Sequence, residues 1–268
     1  NNIGDLPFHI NMIRALAGGL RFWPENPILV GEILKYPFGM NLFNAQFEIL
    51  GVPLQSHLVF VGLFCLILTL VSLQRWMGAW GVMAFFFSGS GPAWKNLFLT
   101  VFVNQRGVLF AIPAGVYLLS EIENERRPSL RKNLALGIIW GSLGFFHLHS
   151  FFIVSILAVI VLLLKKGFKN YLPTLITAFL IGLPFVLVSL SPSENWINPL
   201  RWVWGWMIGP NENFFVFIIK NFGIWLGFLP ALIWISIRQE KDRALTFSIF
   251  AVSFLFLNLM LAPWAWDQ

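Results

Sequence analysis

The sequence predicts an all-α fold, a polytopic transmembrane helical bundle with a large outer first loop that contains short amphipathic helices. Three observations predict it. Hydrophobic residues make up 57% of the chain and charged residues 11%, with 29 Phe and 13 Trp, more apolar surface than a soluble core of this size can hide. Its apolar runs continue unbroken for about a dozen residues or more, where the strands of a membrane barrel would alternate and turn after about ten. Polarity is also unevenly placed, because a semi-polar block covers residues 1–53 and an almost continuously apolar body follows.

Within the first block, Asp5 precedes a helical pattern from Leu6 to Ala17 that Gly18 and Gly19 end. Leu6, Ile10, Ile13 and Ala17 are spaced as one apolar stripe. His9 falls four residues after Asp5, on the same side, so the two can share one substrate or proton. Asp5 is equally suited to cap the helix, with Pro7 in its first turn. The stretches Phe22–Pro27 and Lys35–Gly39 read as extended or turn segments, because proline pushes its predecessor away from helix. Their aromatics suit interfacial anchoring or the lining of a substrate site.

Windows of about twenty residues then place spans at 54–73, 76–91, 107–120, 134–148, 151–164, 171–190, 214–236 and 244–261. With the first block outside, the inner loops hold eleven cations and five acids, a net +6, while the outer segments hold seven of each. The whole net charge lies in short loops on one side, as the positive-inside rule requires. The sequence pI of about 9.8 is therefore explained by topology, and no nucleic-acid partner is expected. The same assignment puts the long aromatic-rich connections outside: residues 1–53, 91–106, 147–150, 191–213 and 262–268.

The chain opens on Asn1 with no signal segment before an outer block, and it stops at Trp266-Asp267-Gln268. We therefore expect a fragment that lacks an earlier span and continues further. Neither an internal repeat nor a low-complexity linker is apparent, so residues 1–268 read as a single transmembrane domain. Cys65 stands alone within a span and offers no disulfide framework.

Candidate chemistry lies on the outer side. Arg106, after Asn104-Gln105 at the head of a span, can snorkel or hold a phosphate through paired hydrogen bonds. Lys220-Asn221 interrupts the apolar run 214–225, where an ammonium is costly unless it meets a wet cavity or an anion. His147 and His149 flank Leu148; residues two apart point to nearly opposite sides of a regular helix, so a shared metal would need the helix broken there. Trp264, Trp266 and Asp267 return two indoles and a carboxylate to the outer face, a pairing suited to the membrane belt or to gripping a sugar. Gly89-Ser90-Gly91-Pro92 has no following Lys-Ser/Thr and reads as a helix end.

Together, Gly-Asp-Leu-Pro-Phe-His at 4–9, Tyr-Pro-Phe-Gly at 36–39, Asn-Gln-Arg at 104–106, His-Leu-His at 147–149 and Pro-Trp-Ala-Trp-Asp at 263–267 resemble large bacterial membrane proteins related to the GT-C glycosyltransferases. The protein O-mannosyltransferase-like branch is the nearest comparison, and the resemblance runs over the whole chain. It implies transfer of a sugar from a polyprenyl-phosphate carrier at the outer or periplasmic face of the cell (inner) membrane. It also implies a base in the first outer loop, and Asp5 is the position that matches. Many relatives carry paired acids there, whereas Leu6 follows Asp5; His9 is the candidate for the assisting group.

On that reading Asp5 deprotonates the acceptor hydroxyl, which attacks the anomeric carbon as the lipid phosphate leaves from the opposite face, inverting the configuration. Arg106 and Lys220 would hold the phosphate, with Asn221, His147, His149, Trp264 and Asp267 as further substrate contacts. No cofactor is expected and no metal ligand is assigned, with a divalent ion left open. The partners implied are the lipid-linked sugar and membrane lipid. The alternatives are a transporter or lipid-linked-sugar flippase, with Lys220, His147 and His149 lining a pathway, and a non-catalytic assembly scaffold. A one-sided cavity ending at Asp5 favours the enzyme; a midplane site between related halves favours transport.

Overall fold

The computed structural model describes residues 6–19, 23–28, 31–87, 106–165, 167–189, 200–202, 211–222 and 259–261, with single positions 98, 102, 191, 227, 230, 231 and 234. Two short helices, α1 (Leu6–Ala17) and α2 (Gly39–Ile49), precede the longer α3 (Leu54–Phe87), α4 (Arg106–Asn124), α5 (Leu130–Phe146), α6 (Leu148–Leu164) and α7 (Leu172–Ser189). Helix α7 is entered through a 3-10 turn at Phe168–Tyr171, and α8 spans Phe214–Phe222. Three-residue strands β1 (Leu200–Trp202) and β2 (Leu259–Leu261) pair antiparallel. The last three residues of the predicted span 244–261 are thus strand, joined to the loop before α8; residues 244–258 lie outside the described residues.

Helix α1 has the predicted bounds but a rotated inner face. His9, Met12 and Ile13 are its buried residues, while Ile10 and Ala17 of the expected stripe are half-buried. The loop behind it folds back through a bridge between Glu25 and Ile33, and Trp23 Nε1 donates to the Leu34 carbonyl at 2.8 Å. Trp23 then packs on Phe38, Phe145 and Phe185, fastening the first loop to α5 and α7.

The predicted spans 54–73 and 76–91 meet within one element. α3 is continuous past Arg75 and breaks at Gly78, whose φ of 65° and ψ of −159° are open only to glycine. From Leu54 to the break the helix extends about 36 Å, enough to cross a hydrocarbon core of about 30 Å. Among the described residues, two segments, Leu54–Phe87 and Phe168–Ser189, are long and apolar enough to cross a membrane, and 28% of each apolar window is buried inside the molecule. Their remaining surface is an apolar face, with Phe60, Ile67 and Val71 on α3 and Ile176, Phe179 and Leu180 on α7 all exposed. A core helix of a soluble protein would be covered there.

Small residues set the helix crossings. On α5, Gly137 and Gly141 lie one turn apart against Thr174 and Ala178 of α7. A Cβ on Gly141 would sit 2.6 Å from the Ala178 carbonyl oxygen, and one on Gly137 would sit 2.7 Å from that of Thr174. Backbones that approach this closely are typical of association in an apolar solvent, where packing and not hydrophobic exclusion holds helices together. Gly115 of α4 instead makes room for the Val154 side chain of α6, whose Cγ2 would lie 2.8 Å from an added Cβ.

Helices α4 to α7 alternate in direction, and the arm of α3 before Gly78 runs alongside α4 in the same sense, so the described connections gather at two ends. At one end Arg75 pairs with Glu121 at 3.0 Å, and Lys132 pairs with Glu121 and Glu125. Trp76 Nε1 donates to Glu123 at 2.5 Å, and the Tyr171 hydroxyl to the Glu125 carbonyl at 2.7 Å. Lys165 donates to the Glu123 carbonyl. At the other end, Lys35 Nζ donates to the Ser191 carbonyl at 2.5 Å. Gly107 there lies against Phe146 and His147. Among the described residues, the first end holds segments assigned inside by charge and the second segments assigned outside, and we label the two ends inner and outer after that assignment.

Candidate functional site

The outer end is built around α2. Asn41, Asn44 and Glu48 recur at intervals of three and four on this helix, a spacing that lines one face. Asn41 and Asn44 are fully buried. Each orients a histidine from a neighbouring helix: His9 Nδ1 of α1 lies 3.0 Å from Asn41 Oδ1, and His57 Nδ1 of α3 lies 2.9 Å from Asn44 Oδ1.

The tautomers follow from the amides. Asn44 Nδ2 donates to the Met40 carbonyl at 2.8 Å, so its oxygen faces His57 and accepts the Nδ1 proton. Neutral His57 then presents a bare Nε2 lone pair. Asn41 Nδ2 is likewise directed at Met12 Sδ, 3.7 Å away, and His9 also donates through Nδ1. A third helix closes the group. Arg106, the first residue of α4, is 8% exposed, and its Nη2 donates to the Leu58 carbonyl at 3.3 Å, next to His57 in the chain.

Among the described residues, three buried side-chain polar atoms have no hydrogen-bond partner: Glu48 Oε2, His57 Nε2 and Arg106 Nε. Glu48 and Arg106 are also the charged groups that act on His57. These three orphan atoms thus come from adjoining helices at one end of the bundle. Buried polar groups are ordinarily paired, and an unpaired one costs about 1–3 kcal/mol.

No protein-family model, no curated protein and no solved structure matches the chain. The reading of this site therefore rests on its own chemistry.

Of the candidate site residues read from the sequence, Arg106, His9 and His147 lie at this end. His9 is 2% exposed and packs edge-on against Tyr36. His147 separates α5 from α6 with an extended backbone, φ −159° and ψ 105°, and its side chain caps α6 by accepting from the Ser150 amide. The helix is thus broken where a shared metal would require it. The His147 and His149 rings lie 5.6 Å apart, but no group of three or more metal-ligating side chains occurs among the described residues. Lys220 and Asn221 lie on α8, with their side chains outside the described residues. Asp5, Trp264 and Asp267 lie outside them altogether.

Lys35 is buried at 5% exposure, and desolvation pushes its ammonium below the usual lysine range while Glu32 opposes the shift. With Ser189 Oγ donating to the Lys35 carbonyl, it ties the first loop to the outer end of α7. Reading the sequence missed His57, Asn41 and Asn44. The signal was present in the interval of three between the asparagines and of four to Glu48.

Proposed function

We propose that the chain is the membrane-embedded part of a multi-pass glycosyltransferase of the GT-C kind, which moves a sugar from a polyprenyl-phosphate donor to an acceptor at the outer face of the cell membrane. The observation that supports this most is the gathering of buried, incompletely paired polar groups at one end of an apolar bundle, the end to which charge partition assigns the outer loops. Intramembrane ionisable groups are expensive and mark sites of function.

On this reading Asp5 is the base, in the segment that leads directly into α1, and His9 supports it from the first turns of that helix. Arg106 holds the donor phosphate, because a phosphodiester leaving group needs positive charge more than a proton. The guanidinium has five N–H groups, of which one is directed at Leu58. Lys220 and Asn221 on α8, His147 and His149 at the α5–α6 break, and Trp264 and Asp267 complete the substrate contacts. A transporter or flippase would instead place its polar groups near the midplane, between related halves.

The test is transfer from a polyprenyl-phosphate sugar by the full-length protein. Asp5→Asn should keep the fold and donor binding and lose turnover by roughly 10²–10⁴-fold, the scale of a lost general base. Asparagine caps a helix about as well as aspartate, so a cap-only role predicts a silent substitution. Turnover at the wild-type rate in Asp5→Asn would remove Asp5 from the mechanism and leave the transporter reading in front.

A further inference from the structure

We propose that Glu48, His57 and Arg106 form a subsite for an uncharged, hydroxyl-bearing ligand group, a vicinal diol of a sugar. The three orphan atoms define what can satisfy them. Arg106 Nε carries a hydrogen and donates. His57 Nε2 is bare, because Asn44 takes the ring's proton on the other side, and it accepts. Glu48 Oε2 accepts. One donor and two acceptors match a pair of hydroxyl groups, which can donate twice and accept from the guanidinium.

An oxyanion fits the same atoms poorly. It would meet one N–H, one lone pair and one carboxylate, and the last two repel it. The groups facing His57 are Glu48 and Asn44 from α2 and Arg106 from α4, and Cys65 of α3 faces Arg106 as well. His57 is 1% exposed and stacks on Phe47, with ring centroids 6.0 Å apart and planes 14° apart, which fixes the direction of Nε2. In the transfer reading, on which identifying the ligand as the donor's sugar rests, the subsite orients that sugar beside the phosphate. His57 is then a binding residue and Asn44 its positioning residue.

The experiment uses the full-length protein in a detergent without sugar headgroups. Binding of methyl glycosides of common hexoses and pentoses, and of inorganic phosphate, is measured by thermal shift and by saturation-transfer NMR. At least one glycoside should bind at millimolar concentration, and His57→Ala and the isosteric Glu48→Gln should each weaken it by about 10-fold or more, the scale of a lost buried hydrogen bond. Inorganic phosphate should not compete. On the unmodified protein, monodeoxy glycosides should show the same loss at the hydroxyls that are held, a readout that needs no variant to fold. Binding of phosphate in place of glycosides, glycoside binding unchanged in both variants, or binding of neither would overturn the subsite. A protein that binds glycosides through these residues yet transfers no sugar would sink the transferase reading alone. One that transfers sugar with unchanged KM in His57→Ala and Glu48→Gln would sink the subsite alone.

Discussion

The two ends of the bundle are both polar, and they are polar in opposite ways. At the inner end the buried Glu121 carboxylate has two cations, Arg75 and Lys132, and the neighbouring carbonyls are taken by Tyr171, Lys165 and Asn170. Asn133 accepts from Thr174 at 2.6 Å and donates to the Asn170 carbonyl at 3.2 Å, so that the start of α5 is stitched to the start of α7. At the outer end, Glu48, His57 and Arg106 each bury an atom with nothing to bond. A network with all its members paired rigidifies a fold, while a partly satisfied one weakens it. On the proposed reading, the difference separates an end that holds the helices together from an end kept for binding.

Glu121→Ala should give the largest stability loss at the inner end. It would leave Lys132 and Arg75 without their shared partner while the neighbouring groups stay in place. Breaking a fully buried pair costs about 3–5 kcal/mol, but the Arg75 side chain is 64% exposed and that of Lys132 29%. Solvent screening reduces the expectation to about 2 kcal/mol. Denaturant unfolding in a fixed detergent would measure it, and a loss below the error of the method would show that this end is not the clamp. Glycoside binding at the other end should persist in whatever fraction remains folded.

A smaller effect follows from pH. Hydrogen bonds to Glu121 and Glu125 push the Lys132 ammonium above its usual range. A group whose folded pKa is raised contributes stability that is fully present below its unfolded value, about 10.4, and lost as pH rises through the folded value. The Lys132 contribution should therefore fade on the alkaline side. Unfolding midpoints of wild type and Lys132→Gln should differ at pH 8 and converge as pH climbs past about 10.4; a gap that stays constant would mean that the ion pairs contribute nothing.

The inner end was legible in the sequence and the outer end only in part. Short basic loops announce themselves through charge, and Arg75, Arg126 and Lys132, which counting alone put together, meet at one end of the described helices. Gly78 was missed because a lone glycine gives no sign of whether its φ will be positive, and a long apolar run hides the break behind Arg75. Helix α2 was missed because Phe38-Gly39 reads as a turn, while its caps are not side-chain caps. His57 was missed because no motif in the sequence points to it. Its meaning depends on Asn44, thirteen residues earlier, and on Arg106, which are neighbours only after α2, α3 and α4 have packed.

The smallest expected effect sharpens the comparison most, because its sign differs between the ends. Arg106→Met removes a buried guanidinium that has no ion pair among the described residues and puts in its place an unbranched apolar chain of similar length. A site kept for binding holds groups that the fold would be more stable without, and replacing incompletely compensated buried charge by apolar volume is often neutral or stabilising. Arg106 does donate to the Leu58 carbonyl at 3.3 Å, and losing that bond costs about 1 kcal/mol. What is recovered is the desolvation of a charge with no counter-ion and of an Nε with no acceptor. Unfolding of Arg106→Met should therefore show no loss, or a gain of about 0.5–1 kcal/mol, together with weaker glycoside binding. A loss of 2 kcal/mol or more, on the scale predicted for Glu121→Ala, would mean that Arg106 is structural, and that the two ends differ in how their bonds are arranged and not in what they are for.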